Sequence, residues 1–242
     1  MHATALNDTR QSLHNSKRTL SRVLRNLVLP DTVCRLDSIN SPHRKLLESY
    51  IQDKFSCIYD AKINEFMPQF LSLDCHDSTS ATAGIRRAMD ETLMVEQYME
   101  KPVEQALSFL AKEPVARESI IEIGNLVATQ RGASQLLFVL LLAILHKANY
   151  RWVVFTATKQ VGQLLNKLHF EPLRVCTADS KMLEGSSNHW GSYYEANPSV
   201  LAGDLQPAID YARTNSVMNC ILDYYKNSID ALASELNRGK KI

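Results

Sequence analysis

Residues 119–170 read SIIEIGNLVATQRGASQLLFVLLLAILHKANYRWVVFTATKQVGQLLNKLHF, and this stretch decides the fold of the chain. Ile120–Val127 is apolar and rich in β-branched residues, which predicts a buried strand. Arg151–Ala157 has the same character and predicts a second buried strand. A helix is expected over residues 133–148 and another over residues 159–168. The alternation of strands and helices predicts an α/β core.

The turn between the first strand and its helix has features of an anion-binding loop. It reads TQRGAS over Thr129–Ser134. The first N–H groups of a helix lack internal partners, and the helix dipole favours an anion there. Gly132 would let a phosphate approach the backbone closely, and Arg131 would add a positive charge. An ordinary turn between a strand and a helix also needs small polar residues, so the spacing alone leaves both interpretations open.

The same turn resembles the donor-binding loop of the GNAT superfamily, the acetyl-CoA-dependent N-acetyltransferases, which is written Q/R-x-x-G-x-G/A. Gly132 matches the central glycine, whereas Thr129 replaces the first Gln/Arg and Ser134 replaces the last small residue. The resemblance implies a site for acyl-CoA or an acyl carrier protein as donor. The residues that it assigns to the donor are Leu126, Val127, Ala128, Gln130, Arg131, Gly132, Ala133 and Ser134.

The second helix resembles the segment of that superfamily that ends in Y-x-x-x-G-F. Phe170 matches the final phenylalanine, while Leu165 stands in the tyrosine position and His169 in the glycine position. Many of those enzymes use the tyrosine to protonate the leaving thiolate. The resemblance therefore implies donor binding better than it implies a particular proton donor.

A more extensive resemblance is to the thermostable hemolysins, also called delta-type hemolysins, of bacteria. The matching segments lie between Glu65 and Gly203. They are Val95–Met99, Pro102–Glu104, Glu122–Leu126, Gly132–Ser134, Trp152–Thr156 and Trp190–Tyr194. This family is similar in layout to the acyl-homoserine-lactone synthases, the autoinducer synthases that are acyltransferases of the same fold.

These resemblances imply an acyltransferase that moves an acyl group from acyl-CoA or acyl carrier protein to a small-molecule acceptor, an amine or amino acid. Two alternatives stay open. The family name records a lytic phenotype, which suggests a membrane-active protein or an enzyme whose acylated product is surfactant-like. The missing tyrosine suggests a non-catalytic module that binds acyl groups or CoA.

The GNAT fold is a three-layer α/β/α sandwich with a mixed, mostly antiparallel central sheet. We expect an N-terminal extension over residues 1–40, the acyltransferase domain over 41–203, and a C-terminal helical extension over 204–242 packed on the same domain. The other predicted elements are a helix within 40–61, strands over 66–73, 81–89, 93–99 and 172–177, a helix over 102–110, and helices over 204–226 and 228–236. The strand at 172–177 is expected to pair with the strand at 151–157.

Glu122 is a candidate catalytic residue because it is acidic within an apolar strand. A buried carboxylate either is paired or has a raised pKa, and a raised pKa makes a usable general base. A structural ion pair with Arg86 or Arg87 explains Glu122 equally well. Glu96 invites the same two interpretations one strand earlier. Asn125 is expected to hold a substrate carbonyl or to bond across the point where the central strands separate.

Candidate substrate contacts come from Arg86 and from the aromatic residues Trp190, Tyr193 and Tyr194. The aromatic side chains suit the wall of an acyl or acceptor pocket, but clustered aromatic residues also commonly seal a core. A methionine-lined acyl channel is a further hypothesis, although methionine is common in core strands. Its residues are Met67, Met89, Met94 and Met99. The backbone N–H groups near Leu126–Ala128 are expected to stabilise the oxyanion of the tetrahedral intermediate.

The composition argues against several classes of protein. The 242 residues carry a net charge of +1, so no charge excess indicates a nucleic-acid partner. Five cysteines lie apart without a C-x-x-C pair, which favours reduced thiols in a cytoplasmic protein. The seven histidines show no metal-ligand spacing, so no metal is expected.

The sequence predicts no membrane-spanning segment. The polar N-terminus lacks the apolar segment of a signal peptide. The longest apolar run, Leu136–Leu145, has about half the length of a spanning helix and predicts a buried helix. An amphipathic helix is expected over Thr9–Leu29, with a face that carries Arg10, Lys17, Arg18, Arg22 and Arg25. This helix is either solvated and packed on the domain or a docking surface for acyl carrier protein or an anionic membrane surface.

Overall fold

A computed structural model describes residues 32–76, 78–129, 132–183 and 187–238 of the chain. The amphipathic helix predicted over Thr9–Leu29 lies outside these residues, as do Gln130 and Arg131 of the predicted donor loop. Within the described ranges, seven strands form one sheet and seven α-helices cover its two faces. This architecture confirms the predicted three-layer α/β fold with a mixed, mostly antiparallel sheet.

The seven strands are β1 Val33–Asp37, β2 Gln69–Cys75, β3 Ser78–Arg87, β4 Ile120–Ala128, β5 Trp152–Ala157, β6 Leu173–Thr177 and β7 Ser199–Asp204. They lie across the sheet in the order β1–β2–β3–β4–β5–β7–β6. Among the described strands, β4 and β5 pair in parallel, and every other neighbouring pair is antiparallel. The parallel pair follows from the helix between β4 and β5, because parallel neighbours require a long crossover.

The helices are α1 Arg44–Tyr59, α2 Val103–Ala111, α3 Ala133–Lys147, α4 Lys159–Lys167, α5 Leu205–Thr214, α6 Ser216–Tyr224 and α7 Lys226–Arg238. Helices α1 and α2 cover one face of the sheet. Helices α3 and α4 cover the other, with α5, α6 and α7 packed on α3. We call these the α1 face and the α3 face.

The apolar run Leu136–Leu145 forms most of α3, and each of its residues is at most 7% exposed. Its sequence is apolar on all sides because the sheet covers one side and the C-terminal helices cover the other. The prediction of a buried helix is therefore confirmed.

The strand predicted over residues 93–99 is wrong, since Met94–Tyr98 forms a 3₁₀ helix. Side-chain carboxylates hold this turn in place. Glu122 accepts hydrogen bonds from the N–H groups of Met94 and Val95, and Glu96 accepts one from Leu93. The backbone N–H groups here therefore donate to side-chain carboxylates, whereas in the predicted strand they would have donated to a neighbouring strand.

The strand predicted over 172–177 is present as β6, but its predicted pairing with β5 is wrong. Strand β7 lies between them and pairs antiparallel with both.

The helix predicted over 204–226 is two helices, because the Asn215 side chain caps α6 by accepting from the N–H groups of Val217 and Met218. Neither β7 nor β1 was predicted, and β1 joins residues of the expected N-terminal extension to the sheet edge.

Candidate functional site

A cavity of about 350 Å³ lies where β4 and β5 separate. The parallel pairing of the two strands ends at Ile123 and Phe155. Strand β4 nevertheless continues to Ala128, and β5 continues to Ala157. The cavity occupies the gap that this separation opens in the middle of the sheet.

Asn125 explains why β4 turns away from its neighbour. Its φ of 47° lies in the left-handed region, which Asn tolerates better than most residues. The register with β3 shifts here, between the pairs Gly84–Gly124 and Thr82–Val127, as in a β-bulge. The Asn125 Oδ1 accepts a hydrogen bond of 2.9 Å from the N–H of Met67. This bond joins β4 to the residues before β2 and does not cross to β5, so the bond expected across the strand separation is not among the bonds of the described residues, and a contact with a substrate carbonyl stays a prediction.

The cavity reaches both faces of the sheet through this gap. On the α3 face its lining includes Leu126, Phe138, Phe155 and Val161. On the α1 face its lining includes Met67, Arg86, Tyr98, Glu122, Trp190, Tyr193 and Tyr194. Successive side chains of a strand point to opposite faces, so β4 contributes to both linings. A ligand in the gap would contact groups on the two faces at once.

The N-terminus of α3 opens onto the α3 face of the cavity. Gly132 precedes the helix with a φ of 86°, a conformation that favours glycine. Ser134 lines the cavity, and so do Leu126–Ala128 of β4. Ala133 is instead buried in the core. Of the described residues predicted to bind the donor, Leu126, Val127, Ala128 and Ser134 thus line the cavity, whereas Gly132 and Ala133 are not among its lining residues.

Glu122 lies on the cavity wall with 1% of its surface exposed. Its Oε2 accepts a hydrogen bond of 3.0 Å from the N–H of Met94, and its Oε1 accepts one of 2.8 Å from the N–H of Val95. Burial raises the pKa of Glu122 to about 7, although Arg86 and the two N–H donors act in the opposite direction. A carboxyl group with this pKa can exchange a proton near neutral pH, as a general base must.

Arg86 is the direct partner of Glu122 in the register of β3 and β4. Its Nη1 lies 3.6 Å from Oε2 of Glu122, and its Nε lies 3.4 Å from Oε1 of Glu91. The Nε atom is buried and makes no hydrogen bond to any described residue. Because Arg86 lines the cavity, an anion bound there would meet its guanidinium. The ion pair and the raised pKa of Glu122 coexist, so its two interpretations are compatible.

Glu96 is not among the described residues that line the cavity. Its carboxylate bonds to Arg117 at 2.7 and 2.8 Å and accepts from the N–H groups of Leu93 and Val103. Burial raises the pKa of Glu96, but the bonds from Arg117 and from the two N–H groups outweigh burial and lower the pKa to about 2. The geometry therefore supports the structural interpretation of Glu96 rather than a role in proton transfer.

We expect Glu96→Gln to lower the free energy of unfolding by about 2–3 kcal/mol, because it removes charge-assisted bonds from a partly buried arginine. Stability from a lowered pKa is present above the ordinary value of 4.5 and is lost as the pH falls toward 2. Urea unfolding at neutral and acidic pH measures both effects, and the difference from wild type should shrink in acid. Glu104→Gln is the control, since Glu104 shares Arg117 but is more exposed. An equal loss in both variants would contradict the assignment.

Trp190, Tyr193 and Tyr194 lie on the cavity wall and pack together, and the first two contact Phe55 of α1. Tyr193 also meets Tyr59 of α1 with ring centroids 5.2 Å apart. The cluster both seals the apolar packing against α1 and lines the cavity. The two interpretations drawn from the sequence are therefore not exclusive.

The loop that carries these rings is fixed to the end of α1. The N–H of Ser192 donates to the Tyr59 carbonyl at 2.8 Å, and the N–H of Lys62 donates to the His189 carbonyl at 2.7 Å. Gly191 has a φ of 51°, and a Cβ built on it would lie 1.9 Å from the Tyr59 carbonyl oxygen. A backbone contact this close leaves no room for a side chain, so this part of the cavity wall requires glycine.

Tyr98 lines the cavity and was not predicted to do so from the sequence. Its hydroxyl group shares a hydrogen bond with that of Tyr194, and burial followed by this bond raises the pKa of Tyr98. Its position in the segment Val95–Met99, which resembles the hemolysin family, could have indicated a site residue. The segment was instead predicted to be a strand. Of the four methionines proposed for an acyl channel, Met67 and Met94 line the cavity.

The described ranges contain no group of three or more His, Cys, Asp or Glu residues arranged to hold a metal ion. None of the helices in those ranges combines the length and the apolar character that crossing a membrane requires.

Two solved structures have a similar fold. FeeM, an N-acyl amino acid synthase from uncultured soil microbes, has a TM-score of 0.50 and 12% identity, covering 72% of this chain and 90% of that one. BjaI, a CoA-dependent acyl-homoserine lactone synthase solved with SAM and isopentyl-CoA, has a TM-score of 0.51 and 9% identity, covering 80% of this chain and 89% of that one. At these identities, the similarity establishes a shared fold.

A family model described as thermostable hemolysin matches residues 38–209. The match covers well over half of the chain and includes β2 to β7, and with them both sides of the cavity. It confirms the resemblance found in the separate sequence segments. No curated protein matches the chain in sequence.

Proposed function

The chain belongs to the thermostable hemolysin family, and we propose that it is an acyltransferase that moves an acyl group from acyl-CoA or an acyl carrier protein to an amine or amino-acid acceptor. One observation carries the proposal: Glu122, a buried carboxylate with a pKa near 7, lies on the wall of a cavity that passes through the sheet. Ser134, in the first turn of α3, lines the same cavity. The fold shared with an N-acyl amino acid synthase and an acyl-homoserine lactone synthase supports the proposal.

The donor enters from the α3 face. Its phosphates lie at the N-terminus of α3, where Gly132 leaves room and the unpaired N–H groups favour an anion. Its pantetheine arm, which CoA and acyl carrier protein have in common, runs through the gap beside Leu126–Ala128. The edge of β4 that has left β5 then offers N–H groups to the arm and to the oxyanion of the tetrahedral intermediate.

The acceptor reacts on the α1 face. Its amine attacks the thioester carbonyl carbon, the C–N bond forms, and the C–S bond breaks as the thiolate leaves. Glu122 takes the proton from the amine, as its pKa near 7 permits. The thiolate then takes the proton that Glu122 has accepted, which restores the Glu122 carboxylate, and the hydroxyl pair of Tyr98 and Tyr194 lines the same cavity. Leu165, in the position of the missing tyrosine, is buried in the core.

Arg86 favours an acceptor that carries a carboxylate group in addition to its amine. It shares the cavity wall with Glu122, and its buried Nε lies 3.4 Å from Oε1 of Glu91 without making a hydrogen bond to the described residues, so an acceptor carboxylate would take the place of Glu91. A guanidinium group binds a carboxylate through two parallel N–H donors. Because Arg86 and Glu122 are neighbours across β3 and β4, an amino acid would place its carboxylate on the first and its amine beside the second.

Arg86→Gln should raise KM for an amino-acid acceptor by about tenfold to a hundredfold, because a charge-assisted hydrogen-bonded pair is lost. The variant also loses a group that lowers the pKa of Glu122, so the comparison belongs at a pH well above 7. Steady-state kinetics with an amino acid and with the matching amine that lacks the carboxylate separate the effects. Arg174→Gln, on the exposed strand β6, is the control. A KM that rises equally for both acceptors would contradict the carboxylate contact.

The melting temperature in the presence of CoA, acyl-CoA or acylated carrier protein tests the donor site. A ligand at about 100 times its Kd stabilises the folded state by about 2.7 kcal/mol, which corresponds to roughly 5–10 °C for a chain of this size. We expect acyl-CoA or acylated carrier protein to produce such a shift. No shift with any donor, together with leakage of anionic liposomes caused by the protein alone, would contradict the acyltransferase and support a membrane-active protein.

A further inference from the structure

Met67 lies across two glycines that face each other in the sheet. Gly84 of β3 and Gly124 of β4 are direct partners in the register. A Cβ built on Gly84 would lie 2.6 Å from Cβ and Cγ of Met67, and one built on Gly124 would lie 2.3 Å from its Cε. The Met67 side chain therefore fills, from Cβ to Cε, the space that two other side chains would need on this part of the sheet.

This position lies where two parts of the cavity meet on the α1 face. The next cross-strand pair on the same face of the sheet, two residues along each strand, is Arg86 with Glu122, which forms the charged end. Met67 itself packs in the apolar cluster of α1, to which the aromatic rings of the cavity wall belong: Phe55, Tyr59, Phe66, Trp190 and Tyr193. Met67 is 5% exposed and lines the cavity, and its side chain over Gly84 and Gly124 lies one same-face pair away from the charged end while packing in the aromatic cluster.

The backbone of Met67 is fixed, whereas its side chain is adaptable. Its N–H donates to Oδ1 of Asn125, the residue whose bulge opens the gap between the strands. Methionine is unbranched and has three rotatable side-chain bonds, so its tip can shift at small cost. The depth of the cavity at this point therefore depends on the size of the residues at positions 84 and 124, over which the thioether packs, and on the length of the side chain at position 67.

We propose that Met67 sets the length of the acyl chain that the cavity accepts, with Gly84 and Gly124 providing the space into which its side chain is packed. This inference rests on the proposed function, which places the thioester at the gap beside β4. The acceptor occupies the charged end, so the apolar acyl chain extends toward the aromatic end and meets Met67. At about 350 Å³ for both faces together, the cavity lies near the lower end of the range for ligand sites, which favours a short or medium chain.

Met67→Ala removes Cγ, Sδ and Cε and should move the preferred donor to a longer chain. Each newly buried methylene group contributes about fourfold to binding, so three of them give at most roughly sixtyfold in kcat/KM for the longer donor. The measurement is kcat/KM over a ladder of saturated acyl-CoA donors from butanoyl to hexadecanoyl, repeated with the same chains on acyl carrier protein. Met89→Ala is the matched control, because Met89 is 61% exposed.

Gly124→Ala should act in the opposite direction. The added Cβ would occupy the place of the Met67 Cε and push the thioether into the cavity, so the optimum should move to shorter chains. The double variant Met67→Ala/Gly124→Ala removes this clash and should restore turnover of longer donors. Melting temperatures of all variants identify any that fail to fold, and the opposite shifts of the two single variants provide independent tests.

The outcomes separate this inference from the proposed function. Opposite shifts of the chain-length optimum in Met67→Ala and Gly124→Ala would support the inference. Wild-type turnover with an unchanged optimum in both folded variants would overturn the role of Met67 and leave the proposed function standing. Absence of wild-type turnover with every acyl-CoA and every acylated carrier protein would overturn the proposed function and this inference with it.

Discussion

Glu122→Gln is expected to lower kcat for acyl transfer by about 10²–10⁴-fold, the usual contribution of a positioned general base. The amide keeps the shape of the side chain but cannot take a proton from the attacking amine. Donor affinity should stay nearly unchanged, because the donor phosphates lie on the opposite face. Steady-state and binding measurements on the same preparation separate the two quantities. Glu91→Gln is the control, since Glu91 also lies near Arg86 but is half-exposed.

The pH dependence provides a second measure of Glu122. Its pKa is raised from the ordinary value of 4.5 to about 7, so the active carboxylate form appears as the pH rises through 7. Wild-type kcat/KM should therefore rise across this pH and level off above it, whereas Glu122→Gln should lack the step. Stability changes in the opposite sense, because the folded state binds the proton more tightly and loses this advantage as the pH rises from 4.5 to 7. A wild-type profile without the step would remove Glu122 from the mechanism.

Ser134→Asp should weaken donor binding by about tenfold to a hundredfold, because a carboxylate at the helix start would repel the donor phosphates at close range. Ser134 is the second residue of α3 and lines the cavity. An acidic residue in the first turn is normally favourable for a helix, so the variant should remain folded. Calorimetric titration with CoA measures the Kd, and increasing salt should reduce the difference from wild type.

The neutral variant Ser134→Asn is the matched control for this substitution. It has nearly the size of the aspartate and lacks its charge, so its Kd should stay near the wild-type value. Equal losses in the two variants would indicate crowding rather than charge. An unchanged Kd in Ser134→Asp would place the donor phosphates elsewhere.

The central β4–α3–β5 unit could be predicted from the sequence, because its signals are local. Ile120–Val127 and Arg151–Ala157 are apolar enough to be buried strands, and the run Leu136–Leu145 predicts the buried helix between them. Strand β7 was missed because Ser199–Asp204 contains Gly203, a position where Phe170 leaves no room for a Cβ. It forms a strand because β5 and β6 flank it, and local propensity does not report such neighbours.

Glu122 and Arg86 of the candidate site could also be found in the sequence, because a charged residue within an apolar strand is a local signal. A glutamate within an apolar strand indicates a partner or a raised pKa, and the structure shows both for Glu122 with Arg86. The contribution of Tyr98 and the position of Met67 could not be found this way. They depend on the bulge at Asn125 and on the 3₁₀ helix that Glu122 holds, which are contacts between residues distant in sequence.

Mass analysis of the reaction products tests whether the protein transfers an acyl group from a thioester to an amino acid. The wild-type protein is incubated with the acyl-CoA ladder, or with acylated carrier protein, and a mixture of amino acids. Free thiol and new N-acyl products are then quantified in parallel, with Glu122→Gln as the reference. We expect an N-acyl amino acid formed in equal amount to the released thiol, and nearly none with the variant. A folded wild-type protein that binds a donor and forms no product would contradict acyl transfer and indicate a non-catalytic binding module.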